Sequence, residues 1–444
     1  MKLKNNTRFL IACILIVVVI VSSIIVSVTD RAPGSSRSGP AVLKDPVTVT
    51  VSVDVDTNGL TGMLGSLEDS LSAPMDLIDS IVDLANEMSF SAVFDGSDMQ
   101  LDVLLKDQQL IRAAVRNTGS EITVVSDMLP DNSVLVLTAE DIIPGAGGKQ
   151  IDMRITTEDI RTLQSAVKSR LIRMADEVKS RADGSEEKGS WTYEDTEFTS
   201  RRKISLTARE AALIVLQTAQ DLVNDPNVSP LLTRLGVDPE SLNLDSEIKN
   251  IQDRPDDSFP ALSAYQYSAG RNVCTEMVFA GSGVNATLRY GSVGDNTCVR
   301  LSWPQVATVD LVADSLGYGY QFSASVTAGQ QNRTGYSSAS PLLSQLTVSA
   351  EGITAQTGER SGTISFGMAG MQFLTLEYAS AKGGKVTSSF DRTGKQVLTS
   401  QDLSGQEFSR QMQTQSMILL NRISAIMPEA ASGLMKSFFG MMSY

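Results

Sequence analysis

The chain contains no histidine among its 444 residues. Histidine is the usual acid–base group at neutral pH and the commonest metal-binding side chain. Its absence excludes Ser-His-Asp triads, Cys-His dyads, histidine-ligated zinc sites and histidine proton shuttles. Only three cysteines occur, which excludes cysteine-rich metal sites as well. We therefore expect neither a zinc enzyme nor a hydrolase of the triad type.

Aromatic residues and positive charges are scarce too. Two tryptophans and an aromatic fraction of 5% argue against stacking platforms for sugars or single-stranded nucleic acid. The formal net charge of −14 argues against a nucleic-acid partner and against electrostatic docking onto anionic lipid. The remaining composition, 42% hydrophobic and 20% charged, is typical of a globular protein with a large core.

Catalytic motifs in the sequence lack their necessary companions. Residues 165–168 and 246–249 have the Ser-x-x-Lys spacing of penicillin-binding enzymes, but the Ser-Asp-Asn and Lys-Thr-Gly motifs of those enzymes are missing. No nucleophile elbow, phosphate-binding loop or dinucleotide fingerprint stands in a supporting context. We predict a protein that is not an enzyme, and chemistry that needs no histidine stays open as an alternative.

One long apolar run occurs near the start of the chain, from Phe9 to Val28. Residues 9–28 contain no charge, no proline and no glycine. About 20 helical residues at ~1.5 Å each cross the ~30 Å hydrocarbon core of a bilayer. A cleaved signal peptide is the alternative, but its apolar region is shorter and ends at a small-residue cleavage site. The run predicts an uncleaved transmembrane anchor.

The flanks of this anchor predict its orientation. Residues 1–8 form a short basic tail that we place in the cytoplasm, and the long downstream body is expected to lie outside the cell membrane. Cys13 follows a Leu-Ile-Ala sequence that matches a lipid-attachment motif. The apolar run continues past Cys13, so we expect this cysteine to lie in the membrane. The predicted protein is a single-pass, extracytoplasmic component of the cell envelope.

The body begins after a predicted flexible stalk at residues 29–46, which is rich in proline, glycine and serine. The stretch Val47–Val55 alternates valine with polar residues and predicts a β-strand. At its end, Asp54, Asp56 and Asn58 match the first half of a calcium-binding loop. The later glutamate of that loop is missing, so a plain strand end is the alternative to calcium. We expect no other cofactor.

The predicted fold class is α+β, with a large antiparallel β meander covered by amphipathic helices. We predict an N-terminal α+β part at residues 47–254 and an antiparallel sheet with a terminal helix at residues 255–444, which could form one continuous domain with it. Helices are expected at about 60–88 (interrupted at Pro74), 158–180, 208–222, 239–252 and 405–427. Period-two strands beyond residue 260 predict one covered apolar face and one wet face.

A short Thr-x-x-acid sequence recurs where strands pass into helices. The threonines of the four copies are Thr138, Thr156, Thr207 and Thr399. This spacing predicts a helix cap in which the threonine side chain accepts from the backbone and the acid reaches back.

Cys274 and Cys298 fall in the predicted sheet of the second part. An oxidising exterior favours a disulfide. If one strand lies between the two cysteines, their separation of ~9.5 Å exceeds the ~7 Å limit for a bridge. Both states therefore stay open.

The chain resembles the LolA/LppX-like group of bacterial envelope proteins in four features. These are the strand Val47–Val55, the helical stretch that follows it, the meander at residues 90–137 and the later period-two strands. The resemblance implies a half-open β-barrel with helices that enclose an apolar cavity for acyl chains. It covers most of the body, but rests on pattern and not on a signature motif. Members of that group are soluble or lipid-anchored, whereas this chain has a predicted membrane-spanning helix.

We therefore expect a non-catalytic module that binds a lipid or another apolar ligand between sheet and helices. Candidate contacts are Phe322, Phe366, Phe438 and Phe439. The last two lie in a tail rich in methionine and phenylalanine, which equally suits closure of the core. The alternative is a structural or assembly protein of the envelope that acts through a protein partner.

Overall fold

The computed structural model describes residues 46–58, 75–142, 157–193, 196–234, 242–281, 284–303, 307–314, 318–326, 346–368 and 370–432. The predicted anchor at residues 9–28, nearly all of the stalk, and residues 433–444 lie outside these ranges. Among the helices that are described, none is both long enough and apolar enough to cross a membrane. The described residues form antiparallel β-sheet and several helices, which confirms the α+β fold class.

The chain divides into two units. Among the described residues, the central unit comprises those between 157 and 326 and residues 351–356, and the flanking unit comprises those between 46 and 142, residues 346–350 and those between 357 and 432. This grouping differs from the predicted division between residues 254 and 255. Thr196–Ile204 and Ala261–Ala269 lie on either side of that division and pair as neighbouring antiparallel strands of the central unit. The two ends of the body meet in the flanking unit, where Val47–Val55 pairs with Met371–Lys382.

In the flanking unit, the described strands follow the order β16-β17-β1-β2-β3-β4-β5-β6-β18. All pairs are antiparallel except the parallel pair β6–β18. The bounds are β1 Val47–Val55, β2 Met88–Asp95, β3 Asp98–Leu105, β4 Gln108–Asn117, β5 Glu121–Ser126, β6 Ser133–Thr138, β16 Arg360–Met368, β17 Met371–Lys382 and β18 Gln396–Leu398. The residues of β15, Leu346–Thr354, are divided between the two units.

Short turns fix the register of this meander. Lys106 and Asp107 join β3 to β4 with positive φ angles of 49° and 62°. Two residues with positive φ form the tight turn whose twist matches that of the flanking strands. The predicted meander at residues 90–137 is thus confirmed as β2 to β6.

The helices of the flanking unit include α1 Met75–Asn86, α2 Ala139–Ile142 and α7 Gln406–Ile426. α1 begins directly after Pro74, where the predicted interruption falls, and α7 confirms the predicted terminal helix. Leu84 of α1 and Ile423 of α7 pack with Leu105 and Leu110 of the sheet. This cluster is the buried core of the flanking unit.

The described strands of the central unit pair in chain order from β7 to β14, and every pair is antiparallel. Their bounds are β7 Ala182–Tyr193, β8 Thr196–Ile204, β9 Ala261–Ala269, β10 Asn272–Gly281, β11 Val284–Val293, β12 Asn296–Trp303, β13 Ala307–Asp314 and β14 Gly319–Val326. The described helices are α3 Thr157–Ser180, α4 Ala208–Val223, α5 Ser229–Arg234 and α6 Leu244–Asp253.

Helices α3 and α4 cover one face of this sheet. Val178 of α3 and Ile214 of α4 pack against Ile204, Ala264 and Met277 of three neighbouring strands, and all five residues are buried. Alternation along each strand places these residues on one face. The predicted cover of an apolar sheet face by helices is confirmed here.

Thr207 forms the predicted cap of α4. Its hydroxyl accepts from the backbone N–H of Glu210, and the Glu210 carboxylate accepts from the backbone N–H of Thr207 at 2.8 Å. The backbone hydrogen bond from Thr207 lowers the pKa of Glu210. The copies at Thr138 and Thr399 make the same backbone contact to Asp141 and Asp402, each at 2.7 Å.

Replacing Thr207 by alanine is expected to reduce the free energy of unfolding by about 1 kcal/mol at neutral pH. Because the pKa of Glu210 is lowered in the folded state, its contribution is present above its ordinary pKa and is lost as the pH falls through the folded value. Urea unfolding at pH 7 and pH 3 measures both effects. Thr218→Ala, inside the same helix, is the control, and an equal loss in both variants would contradict the capping role.

Candidate functional site

Alternate residues of β1 point to one face of the flanking-unit sheet, and most of their partners on neighbouring strands are apolar. We call this surface the apolar face. Its members are Val47, Val49, Val51 and Val53 of β1, Leu376 and Tyr378 of β17, Phe90, Ala92 and Phe94 of β2, Met99, Leu101 and Val103 of β3, Ile111, Ala113 and Val115 of β4, and Val124 of β5.

Most of the apolar face is only half-buried. The four valines of β1 and Phe90 are half-buried, and Phe94 is 40% exposed. Burial is complete where α1 and α7 pack at one end, as at Leu105. In the described structure, the apolar face is therefore partly accessible, most of all at Phe94.

The dimensions of this face suit long apolar chains. At ~3.3 Å per residue and ~4.8 Å between strands, it measures about 20 Å along β1 and about 20 Å across. An acyl chain spans half of the ~30 Å hydrocarbon core of a bilayer, or about 15 Å. The face is therefore at least as long as an acyl chain and is several strands wide.

Part of the opposite face of the same sheet is covered by an extended segment, residues 383–395, which we call the strap. Gln100 of β3 is buried beneath it, and its Oε1 accepts from the backbone N–H groups of Thr387 at 2.9 Å and Ser388 at 3.2 Å. Gly384 lies so close to the sheet that a Cβ atom there would overlap Thr48 Oγ1. These contacts cover positions around Thr48 and Gln100 that alternation alone would leave to solvent.

Charged and aromatic side chains complete the contact of the strap. Arg392 forms an ion pair with Glu121 of β5. The guanidinium of Arg116 lies 4.3 Å from the ring centroid of Phe390, which is buried. Sequence analysis missed the strap because it has neither helix nor strand periodicity. The available signal was the pair Gly383-Gly384 before a polar segment.

Replacing Gln100 by leucine is expected to lower the free energy of unfolding by about 2 kcal/mol. The leucine leaves the two strap N–H groups without their acceptor, and a buried unsatisfied donor costs about 1–3 kcal/mol. Thermal unfolding of the full chain measures the loss, and hydrogen exchange of residues 385–395 reports release of the strap. Gln108→Leu, at an exposed position of β4, is the control. Unchanged exchange in the strap would contradict this role of Gln100.

Two of the four predicted ligand-contacting phenylalanines lie within the described residues, one in each unit. Phe366 of β16 is half-buried and pairs with Leu374, in line with Val55, so it extends the apolar face. Phe322 belongs to the central unit, where it packs with Val309 and Leu311. Phe438 and Phe439 lie outside the described residues.

The predicted calcium ligands form an ordinary strand end. Asp54 is exposed on β1, and Asp56 Oδ1 accepts from the backbone N–H of Asn58 at 2.9 Å, which is a local turn contact. Across the described ranges, no three histidine, cysteine or acidic side chains are grouped so that they could hold a metal ion. The structure therefore gives the calcium hypothesis no ligand set there.

Cys274 and Cys298 lie in one cross-strand row, on β10 and β12, with Gly291 of β11 between them. Both are buried, and they are present as thiols. Strand β11 lies between the two cysteines, as in the meander considered above. The two Cα atoms are therefore farther apart than a disulfide bond allows.

Beside these cysteines, the central unit carries a cluster of aromatic and arginine side chains, which we call the aromatic–arginine cluster. The Arg201 guanidinium lies 4.9 Å from the Trp191 ring and 4.6 Å from the Tyr265 ring, and Arg289 lies 5.1 Å from the Tyr193 ring. The cluster also contains Glu187, which pairs with Arg201, and Tyr267.

Tyr267 is the most perturbed group of this cluster. Burial and the neighbouring Glu276 carboxylate, which accepts its hydroxyl at 3.2 Å, raise the pKa of Tyr267 to about 12. Sequence analysis, which weighed only the aromatic fraction, missed the cluster. The period-two pairs Trp191-x-Tyr193 and Tyr265-x-Tyr267 were the signal that could have indicated it.

Comparison with known proteins does not identify the chain. No family model matches it, and no curated protein matches it. Among solved structures, it shows a similarity to the N and C lobes of intact Ap-TbpB, with 9% sequence identity, a TM-score of 0.13, and coverage of 79% of this chain and 82% of that one. A likeness at this level carries no argument about function.

Proposed function

We propose that the chain is a membrane-anchored, extracytoplasmic protein that binds the acyl chains of a lipid on the apolar face. The half-buried state of that face is the observation that carries the proposal. The four valines of β1 and Phe90 share this surface, and Lys382, the partner of Val47, stands at its rim.

Hydrophobic free energy supports an apolar occupant. Removing apolar surface from water stabilises by about 25 cal/mol per Å². Contiguous apolar patches larger than a few hundred Å² are uncommon on soluble monomers and mark binding surfaces. The outline of the apolar face, about 20 Å by 20 Å, leaves room for a patch of that size.

The organisation of the flanking unit agrees with the resemblance to the LolA/LppX-like group. A β meander carries an apolar face, and α1 and α7 pack at one end of it. In this proposal the sheet forms the half-open barrel that the resemblance implies, and lipid lies between sheet and helices. The predicted anchor at residues 9–28 keeps the module at the membrane, so it receives or presents lipid locally and does not carry it over long distances.

Native mass spectrometry of the full chain, purified in a nonionic detergent, tests the proposal. We expect one or more lipids to remain bound at a defined stoichiometry and to be released by solvent extraction. The apo mass alone, with no uptake from added membrane lipids, would overturn it.

The aromatic–arginine cluster favours a second candidate, an assembly protein of the cell envelope. Tryptophan, tyrosine and arginine are enriched at the energetic centres of protein interfaces. Trp191→Ala would then weaken capture of a specific envelope protein by crosslinking in intact cells, and would leave lipid binding unchanged. An unchanged crosslinking pattern would remove this candidate.

A further inference from the structure

Two positive side chains stand at one rim of the apolar face. Lys382 of β17 pairs with Val47, so it extends the row that contains Val47, Phe94 and Met99. Arg360 of β16 pairs with Ser380, which is opposite Val49. Alternation along the strands therefore places both cations on the side of the valines.

These two cations are close enough to act on one group. Lys382 lies two residues beyond Ser380, the direct partner of Arg360. Diagonal neighbours of this kind are about 7–8 Å apart. Both side chains are exposed, and within the described residues neither is paired with a carboxylate. Glu377 of β17 alternates to the opposite face, next to Ser52.

The combination of an apolar surface with unpaired cations at its rim matches one class of ligand. We propose that the apolar face binds an anionic lipid, with the phosphate or carboxylate of its headgroup between Arg360 and Lys382 and its acyl chains along the valine rows. This inference rests on the proposed function and specifies the headgroup. Arginine and lysine both bind phosphate groups through charge-assisted hydrogen bonds.

The position of this rim in the chain agrees with uptake from a membrane. Val47 and Lys382 are paired, and Gly383 donates to the carbonyl of Pro46 at 2.8 Å. The rim is therefore at the end of β1 that follows the predicted stalk. A flexible linker of that length has an end-to-end distance of about 25 Å. The overall charge of −14 argues against docking of the whole protein on an anionic membrane surface. Binding of a single anionic headgroup depends instead on the two nearby cations.

The test compares two phospholipids with identical acyl chains, an anionic phosphatidylglycerol and a zwitterionic phosphatidylcholine, added to the full chain in nonionic detergent. Binding is measured by native mass spectrometry. We expect the wild type to prefer the anionic lipid, and the double variant Arg360→Gln/Lys382→Gln to lose about 30-fold in affinity for it, at roughly 1 kcal/mol per cation. Higher ionic strength should weaken the preference.

The control is Lys106→Gln/Lys385→Gln, which removes the same charge from exposed positions. Lys106 lies in the β3–β4 turn next to Leu105, away from the rim, and Lys385 begins the strap on the opposite face. Loss of preference in this control as well would overturn the headgroup site.

Three other results would also overturn it, for different reasons. Equal binding of both lipids by the wild type would refute the headgroup site and leave acyl binding intact. Binding of neither lipid would refute the proposed function itself. Competition by soluble glycerol phosphate as strong as that by the lipid would indicate a site for free phosphate.

Discussion

Replacing Val51 by glutamate is expected to abolish bound lipid in native mass spectra while the fold is retained. Val51 is half-buried at the centre of the apolar face, between Tyr378 of β17 and Phe90 of β2. A carboxylate placed among acyl chains has no partner there, and burial of an unpaired charge is strongly unfavourable. Because Val51 is only half-buried, the glutamate side chain can reach solvent when no lipid is bound. The substitution is therefore expected to weaken lipid binding and to leave the stability of the fold nearly unchanged.

Thr50→Glu is the matched control for this variant. Thr50 is the preceding residue of β1, is exposed, and points to the opposite face. Both variants carry the same predicted anchor, so lipid held by residues 9–28 is equal in the two. Equal lipid in both variants would contradict binding on the apolar face. Circular dichroism and thermal unfolding verify that each variant is folded.

Replacing Gly291 by alanine is expected to destabilise the central unit by about 3 kcal/mol. A Cβ atom at this position would overlap the carbonyl oxygen of Val273 and lie 2.8 Å from the Cα of Cys274. Because both contacts are to backbone, strand β10 or β11 must move, and the buried cluster around Cys274 and Cys298 must repack. Strain and core disruption of this kind account for the largest effects of single substitutions.

Urea unfolding measures the stability loss at Gly291, and hydrogen exchange of residues 272–303 locates it. Ser292→Ala, at the next position of β11, is the control and should change stability by less than about 0.5 kcal/mol. Wild-type stability of Gly291→Ala would show that β10 and β11 are farther apart than described.

Local signals in the sequence were enough to predict much of the fold. The valine alternation of β1 and the turn residues of the meander depend on neighbours in the chain. The same holds for α3, α4, α7 and the cap at Thr207. Each of these elements has a period or a fixed spacing that its own residues reveal.

Pairings between distant residues could not be predicted in this way. The contact of β1 with β17, which joins the two ends of the body, spans more than 300 residues and leaves no local pattern. The boundary at residue 254 stays a prediction, since proline and aspartate mark a loop but do not reveal that the strands on either side of it pair. The contacts of Gln100 could not be predicted either, because its hydrogen-bond partners in the strap lie 287 and 288 residues away in the sequence.

The candidate site shows the same limit. The apolar residues of β1 and β17 could be listed from the sequence, but their half-buried state depends on where the helices pack. Phe322 and Phe366 were selected by residue type, and only Phe366 extends the apolar face. Only the register of β16, β17 and β1 shows that Arg360 and Lys382 lie together at the rim of the apolar face.

The most direct measurement is photo-crosslinking of the full chain with a phospholipid that carries a photoactivatable group in the middle of its acyl chain. Peptide mapping then identifies the attachment sites. The proposed function predicts adducts on residues 47–55 and 88–105, and their loss in Val51→Glu. Adducts confined to residues 1–45, or to the central unit, would contradict lipid binding on the apolar face.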